Sequence, residues 1–152
     1  MPMGITLGAI GLGQGGGVVA APAIPNLISN GTFDTNTTGW ALAGGAGTFT
    51  ATAGKGVMVV SGTFVTFAWA ISTQIGTTYN TLADISDSVD APFRGVRKAD
   101  DSGASTNLVE LTSNVDGLAQ AGNFTATATT TYIILQVNGN RTSFDNISVV
   151  AA

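Results

Sequence analysis

After the first 25 residues, short apolar runs alternate with residues that favour turns. In 131–138, Ile133, Leu135 and Val137 share one face of a strand at a period of two. No window shows the apolar repeat of an amphipathic helix, although the segment from Ala83 to Asp90 is compatible with a helical turn. Strands are predicted at 26–28, 31–34, 47–52, 56–61, 64–75, 78–86, 92–98, 107–112, 120–128, 131–138 and 143–150.

Clusters of Gly, Asn and Asp separate these predicted strands and favour tight turns. The predicted turns are Asn30-Gly31, Gly44-Gly45, Gly54-Lys55-Gly56, Ser61-Gly62, Asp101-Ser102-Gly103, Asp116-Gly117 and Asn138-Gly139-Asn140. About ten short strands in one domain predict an all-β fold, an antiparallel jelly-roll sandwich. A chain of 152 residues is long enough to bury its core in a single domain without disulfides.

Residues 1–25 differ from the remainder because they are uncharged and rich in glycine. Ile5, Leu7, Ile10 and Leu12 are interspersed with these glycines, which disfavour a helix by about 1 kcal/mol each. The chain is therefore divided into an extended arm, 1–25, and a sandwich, 26–152. Ordering such an arm costs much conformational entropy, so we expect it to dock on a neighbouring subunit of an assembly. An arm that folds back on its own domain and a cleaved signal peptide are the two alternatives.

Composition narrows the range of functions. The chain has no Cys and no His, which excludes disulfides, thiol nucleophiles, Ser-His-Asp triads and common zinc or haem sites. Five Lys and Arg residues against nine Asp and Glu residues provide no basic surface for nucleic acid. The apolar runs are too short for a membrane-spanning helix, and the acidic residues show no pattern of paired catalytic carboxylates. We therefore expect neither an enzyme nor a nucleic-acid-binding or membrane protein.

Two motifs at the ends of the predicted sandwich are distinctive. The segment from Asn26 to Asp34, Asn-Leu-Ile-Ser-Asn-Gly-Thr-Phe-Asp, precedes Gly39-Trp40, and the chain closes with Phe-Asp-Asn-Ile-Ser-Val at 144–149. This pair resembles the opening and closing strands of carbohydrate-binding modules of the family 4/9 type. Segments 77–79 and 129–133 are similar to internal strands of those modules, so the resemblance covers about residues 26–150. It implies a jelly roll whose first and last strands are neighbours, with Phe33 and Trp40 in the core.

The resemblance also implies a possible structural calcium site. Asp34 and Asp145 occupy the positions at which such modules often hold the ion. Calcium requires six to eight oxygen ligands, which two carboxylates and backbone carbonyls can supply. In the alternative, Asp34 caps a turn and Asp145 accepts backbone N–H groups.

Sugar binding requires aromatic side chains beside polar groups, and several residues qualify. We predict a carbohydrate site formed by Trp69, Tyr79, Asn80, Arg94 and Arg97. Phe93, Tyr132 and Gln136 are further candidates, while the Gly-Trp context favours core burial of Trp40. Each aromatic residue has core burial as its alternative role, and Arg94, Arg97 and Lys98 have ion pairing as theirs.

The first residues resemble the start of small virion proteins of tailed bacteriophages. The similarity lies in Met-x-x-Gly-x-x-Leu-Gly at 1–8, followed by Gly-Gly-Gly-Val-Val-Ala-Ala-Pro at 15–22. It implies a non-enzymatic homo-oligomeric virion protein that decorates the capsid or tail. Its arm would contact other virion proteins, and its sandwich would be free to contact host surface glycans. The alternative is a bacterial extracellular carbohydrate-binding module.

Overall fold

The computed structural model describes residues 23–100 and 108–152 and contains eight β-strands in that part of the chain. Their bounds are β1 Ala41–Thr52, β2 Lys55–Ser72, β3 Thr78–Val89, β4 Phe93–Ala99, β5 Val109–Glu110, β6 Gly117–Thr125, β7 Thr130–Asn138 and β8 Arg141–Ala151. All neighbouring strands are antiparallel, in the order β5-β4-β7-β2-β8-β3-β6, with β1 paired to β2. The predicted all-β jelly roll is confirmed. Within the described ranges no helix is long and apolar enough to cross a bilayer.

Strand β2 belongs to both halves of the fold. Its residues 56–59 pair with β8, whereas residues 64–72 pair with β7. We call the half formed by β5, β4, β7 and residues 64–72 of β2 the front sheet, and the half formed by residues 56–59, β8, β3 and β6 the back sheet. Strand β1 lies along both parts of β2. Inward side chains from both sheets form one core that includes Val65, Val96, Leu135, Phe144 and Val149.

Two predicted turns lie inside strands instead. Ser61-Gly62 is part of the continuous strand β2, and Gly44-Gly45 is part of β1. Glycine here allows the strands to bend, because the β1–β2 register shifts on both sides of Gly44-Gly45. The predicted turn after β1 is shifted by one residue, to Ala53 and Gly54, which have φ of 53° and 73°. Two positive φ values in a two-residue loop are typical of a type I′ hairpin.

The opening segment is not a pair of strands, as the sequence predicted at 26–28 and 31–34. It runs irregularly beside β8, where the Leu27 N–H donates to Val149 O at 2.9 Å and the Ile147 N–H donates to Gly31 O at 3.0 Å. The side-chain Oδ1 of Asn26 accepts the Val149 N–H at 2.9 Å. A side chain thus replaces part of the backbone ladder, which is why no strand forms although the segment is closely attached.

The predicted core role of the opening motif is confirmed. Phe33 is fully buried, Trp40 is 7% exposed, and the Trp40 indole N–H donates to Asn30 O at 3.0 Å. In the opening motif the positive φ belongs to Phe33, at 51°, and not to Gly31. Gly31 is needed because a Cβ there would lie 2.0 Å from Ile147 O.

Three other predicted elements differ in extent or type. The segment from Ala83 to Asp90 is strand rather than a helical turn, because β3 continues to Val89. Strand β6 ends at Thr125 instead of 128, and β5 contains only Val109 and Glu110. In β5 and β6 the apolar alternation is weak, and pairing with neighbouring strands determined the limits.

Candidate ligand-binding face

The outward face of the front sheet carries polar and aromatic side chains in cross-strand rows. Side chains that face outward on adjacent antiparallel strands are direct neighbours, with Cβ atoms about 5 Å apart. One row is Phe93, Asn138 and Phe64; the next is Gly95, Gln136 and Thr66; the third is Arg97, Ile134 and Ala68; and the fourth is Ala99, Tyr132 and Ala70. We call this surface the front face.

The second row forms the polar centre of the front face. Gln136 is half-buried and donates from Nε2 to Asn138 Oδ1 at 2.9 Å. Thr66 is 1% exposed and donates to Gly44 O at 3.3 Å. Because Gly95 has no side chain, the Gln136 amide has no bulky neighbour on β4 in its own row.

Arg97 lies flat on an aromatic ring of the same strand. Its guanidinium carbon is 3.9 Å from the centroid of the Phe93 ring, a cation–π contact. Phe93 and Arg97 are both half-buried, so each keeps part of its surface open to solvent. The contact holds the guanidinium group on the front face.

Two polar atoms of the front face have no hydrogen-bond partner among residues 23–100 and 108–152. They are Arg97 Nε, a donor, and Gln136 Oε1, an acceptor, and both atoms are buried. The two residues are diagonal neighbours on β4 and β7, at a Cα separation of about 7–8 Å. An unsatisfied buried polar atom costs about 1–3 kcal/mol. A ligand hydroxyl, which both accepts and donates, can satisfy such a pair.

A small apolar cluster adjoins the polar row. Ala68, Ala99 and Ile134 are buried on the front face, with Ala43, Leu108 and Tyr132 packed against them. Ile134 is fully buried although it faces away from the main core. These three side chains are therefore packed within the protein on one side of Gln136, and the accessible aromatic rings, Phe93 and Phe64, lie on the other side.

The structure brings together only part of the predicted carbohydrate site. Arg97, Phe93, Tyr132 and Gln136 share the front face, whereas Trp69, Tyr79, Asn80 and Arg94 do not. They are separated because they lie on different faces of their strands or belong to different sheets. Local composition shows neither the face nor the sheet.

Tyr79 is a core residue, and Trp69 is partly buried and packed against the core. Trp69 points inward from β2, with its ring centroid 5.5 Å from that of Trp40, and a Cβ on Gly39 would overlap the Trp69 ring. Tyr79 is 6% exposed, stacks on Phe124 at 5.4 Å, and accepts the Gln74 N–H at 2.9 Å. Core burial, the alternative role, is thus observed for Tyr79, whereas Trp69 packs against the core and keeps part of its surface exposed.

Asn80 and Arg94 lie elsewhere on the surface. Asn80 is exposed on the outward side of the back sheet, opposite Asn123 of β6. The Arg94 side chain donates from Nε to Asp116 Oδ1 at 2.7 Å and from Nη1 to Ala91 O at 2.8 Å. Arg94 thus has the ion-pairing role that the sequence left open.

Phe64, Thr66 and Asn138 are front-face residues that the sequence did not single out as binding candidates. Phe64 is 38% exposed, a high value for a large aromatic side chain. Only the pairing of β2 with β7 places Phe64 and Asn138 beside Phe93. One signal in the sequence could have identified this face. The even-numbered β7 residues Tyr132, Gln136 and Asn138 are polar or amphipathic, and they alternate with buried Ile, Leu and Val.

Three carboxylates near the sheet edges have lowered pKa values. The hydrogen bond from the Lys55 ammonium, at 2.9 Å, lowers the pKa of Asp87, and that from the Thr127 hydroxyl lowers the pKa of Asp100. Burial alone would raise the pKa of Asp116, but hydrogen bonds from Ser88 and Arg94 more than offset burial and lower it. The three carboxylates are therefore ionised at neutral pH.

The predicted calcium ligands show local hydrogen bonds. Asp34 accepts the Thr32 hydroxyl at 2.8 Å, and Asp145 Oδ1 accepts the Asn146 N–H at 2.7 Å. In residues 23–100 and 108–152, no group of three or more acidic side chains is arranged to hold a metal ion. The Asp145 contact is the backbone N–H acceptance given as its alternative role, whereas Asp34 is bonded to a side-chain hydroxyl. Calcium binding stays a prediction.

The arm residues Ile5, Leu7, Ile10 and Leu12 lie outside the described residues. Residues 23–25, at the end of the predicted arm, are exposed and have no regular secondary structure. The division of the chain at residue 25 and the docking role of the arm stay predictions.

Comparison with solved structures shows the fold. A family 4 carbohydrate-binding module (CBM4) matches with a TM-score of 0.57 and 17% identity, over 82% of this chain and 99% of that one. TmCBM61 in complex with β-1,4-galactotriose matches with a TM-score of 0.52 and 10% identity, over 84% and 99%. The enzymatically active domain of tailspike protein 4 from bacteriophage CBA120 has a TM-score of 0.59 and 16% identity, over 84% of this chain and 21% of that one.

A scan against protein-family models and a search of curated proteins gave no match. The chain therefore has the jelly-roll fold of carbohydrate-binding modules, and the predicted resemblance is confirmed at the level of fold.

Proposed function

We propose that this chain is a non-catalytic carbohydrate-binding domain and that its ligand lies on the front face. The observation that carries the proposal is the pair of unsatisfied atoms, Arg97 Nε and Gln136 Oε1, beside the Phe93 ring. Because both atoms are buried, the two side chains would turn outward so that a sugar hydroxyl accepts from the first and donates to the second. A sugar ring would place its apolar C–H face on an aromatic side chain. The carbohydrate-binding modules with the same fold support this assignment.

The charges of the front face argue against hydrolysis. Glycosidases generally use two carboxyl groups, about 5–5.5 Å or 6.5–9.5 Å apart, on either side of the scissile bond. Among the described residues Glu110, paired with Arg97 across β4 and β5, is the one carboxylate in these rows. The face therefore has groups for binding a sugar and lacks a second carboxylate for cleaving it.

A glycan array followed by isothermal titration calorimetry tests the proposal. Gln136→Ala should weaken binding of any array ligand at least tenfold, because the variant removes the amide at the centre of the face. Asn80→Ala is the matched control, since it truncates an exposed amide on the back sheet and should leave affinity unchanged. An array with no bound glycan, or equal loss in both variants, would refute a sugar site on the front face.

We further propose that the domain is displayed on a bacteriophage particle, with 1–25 as the arm that contacts other virion proteins. The phage-like pattern of 1–22 and the shared fold with a bacteriophage tailspike domain support this placement. An extracellular bacterial carbohydrate-binding module is equally compatible with the fold. In either setting the domain would meet glycans outside the cell.

The arm can be tested in the full chain. Replacement of Ile5, Leu7, Ile10 and Leu12 by Ser removes its large apolar side chains. Light scattering should then show loss of the homo-oligomer that the arm is proposed to hold, while circular dichroism of the sandwich stays unchanged. An unchanged oligomeric mass would refute the anchoring role, and recovery of the chain only from a secreted fraction would favour the extracellular alternative.

A further inference from the structure

The five cationic side chains differ in their partners. Lys55, Arg94 and Lys98 form ion pairs with Asp87, Asp116 and Asp100 at 2.9, 2.7 and 3.3 Å, respectively. In the part of the chain that the structure describes, Arg97 and Arg141 have no carboxylate within 4.0 Å.

Arg97 differs from Arg141 in its position. Arg141 is exposed and opens β8 in the back sheet, where water solvates its charge. Arg97 is half-buried on the front face and lies over the Phe93 ring, and its buried Nε has no partner among the residues that the structure describes. Its charge and one of its donors are therefore both left uncompensated at the proposed binding site.

A guanidinium group has a planar set of donors that matches a carboxylate with two parallel hydrogen bonds. A hydroxyl ligand would satisfy one donor and leave the positive charge without a counter-ion. A carboxylate would supply both an acceptor and the negative charge. We infer that the front face selects an acidic glycan, with Arg97 binding a sugar carboxylate such as that of a uronic acid. The inference rests on the proposed function, because it names the ligand class of the same site.

Among the described residues, Glu110 is the negative charge closest to Arg97 in the sheet register. It is the cross-strand partner of Arg97 on β5, and its side chain is exposed. Although adjacent, the two side chains form no ion pair. A ligand carboxylate would accept from Arg97, while a hydroxyl of the same sugar would donate to Gln136 Oε1. Glu110 would repel that carboxylate through solvent. Removing the Glu110 charge should strengthen the binding of an acidic ligand.

Matched polysaccharides separate charge recognition from sugar recognition. We would measure, by calorimetry on the full chain, hyaluronan and polygalacturonate against the same polymers after chemical reduction of their carboxylates to alcohols. At least one acidic polymer should bind at least tenfold more tightly than its neutral counterpart. That preference should weaken between 0.05 and 0.5 M NaCl, because salt screens partly exposed charges.

Two arginine-to-lysine variants provide the matched comparison. Arg97→Lys keeps the charge but loses the planar pair of donors. The preference for the acidic over the neutral polymer should therefore fall to less than threefold. Arg94→Lys makes the same replacement at an arginine already paired with Asp116, and it should keep the preference. Glu110→Gln should raise affinity for the acidic polymer two- to fivefold and leave that for the neutral polymer unchanged.

The outcomes distinguish this inference from the proposed function. Equal binding of acidic and neutral polymers overturns the inference and leaves carbohydrate binding intact. Absence of binding to these polymers and to every glycan on the array overturns both. A thermal melt shows whether Arg97→Lys folds. If it does not, the inference is tested by the affinity of Glu110→Gln for the acidic polymer and by the salt dependence of the preference. If neither changes as expected, the inference is overturned.

Discussion

Gly31→Ala should loosen the attachment of the opening segment to β8. Gly31 is buried and its φ is not in the positive range, so alanine is compatible with the backbone conformation itself. The new Cβ would, however, lie 2.0 Å from Ile147 O and 2.9 Å from Ile147 C. Both are backbone atoms, which cannot turn away as a side chain can. The segment must therefore move by about 1 Å or more to reach ordinary contact distances.

The energetic cost follows from what that movement disrupts. The Ile147 N–H to Gly31 O hydrogen bond, now 3.0 Å, would be lost, at about 1 kcal/mol. Phe33 and Ile28, almost fully buried beside it, would expose part of their surface, about 1–3 kcal/mol at 25 cal/mol per Å². We expect a loss of about 2–4 kcal/mol in the free energy of unfolding, and a fall of about 6–12 °C in Tm.

Urea unfolding followed by tryptophan fluorescence measures this loss directly. Trp40 is buried and donates to Asn30 O next to Gly31, so its emission reports on the same attachment. Gly62→Ala is the control, because its Cβ would meet only Ala46 Cβ at 3.6 Å, an ordinary contact. It should change stability by less than about 0.5 kcal/mol. Equal unfolding midpoints for the two variants would contradict the expected cost of placing a Cβ at Gly31.

Three further predictions concern stability. Asn26→Leu should cost about 2–4 kcal/mol in urea unfolding because it leaves two backbone N–H groups without their acceptor, whereas Asn26→Asp keeps that oxygen and should lose much less. Tyr79→Phe should cost about 1 kcal/mol by removing one hydrogen bond while retaining the stacked ring, and a loss above 3 kcal/mol would contradict this. The lowered pKa values of Asp87, Asp100 and Asp116 contribute stability that is present above the unfolded-state pKa of about 3.9 and is lost as pH falls through the folded-state values. Tm measured by calorimetry should therefore be flat from about pH 8 to pH 5, since the chain has no His, and should decline below about pH 4; a maximum at pH 4 would refute the sign.

The strands with regular alternation were predictable from the sequence. In β7, the buried Ile133, Leu135 and Val137 alternate with more polar side chains, and the predicted limits of 131–138 differ from the observed strand by one residue. The opening motif likewise identified Phe33 and Trp40 as core residues. Such features depend on the neighbours of a residue along the chain, because side chains alternate between faces with a period of two.

The composition of the candidate site was also partly predictable, since Arg97, Phe93, Tyr132 and Gln136 were recognised as residue types that bind sugars. Their arrangement was not. Trp69 and Arg97 are both residue types that bind sugars. Because side chains alternate between the two faces of a strand, Trp69 faces the core and Arg97 faces the solvent. A glycine pair that reads as a turn bends β1 instead, because β2 is available along its whole length.

The sequence by itself therefore determined the β-class, the absence of Cys and His chemistry, and the identity of several core residues. The tertiary structure decided which side chains meet. Register pairs β4 with β7 and β7 with β2, so residues separated by about 30–70 positions in sequence form one surface. The tertiary structure also showed that, within the described ranges, a donor on Arg97 and an acceptor on Gln136 have no partner. Hydrogen-bond satisfaction depends on distances between strands, which local sequence patterns do not encode.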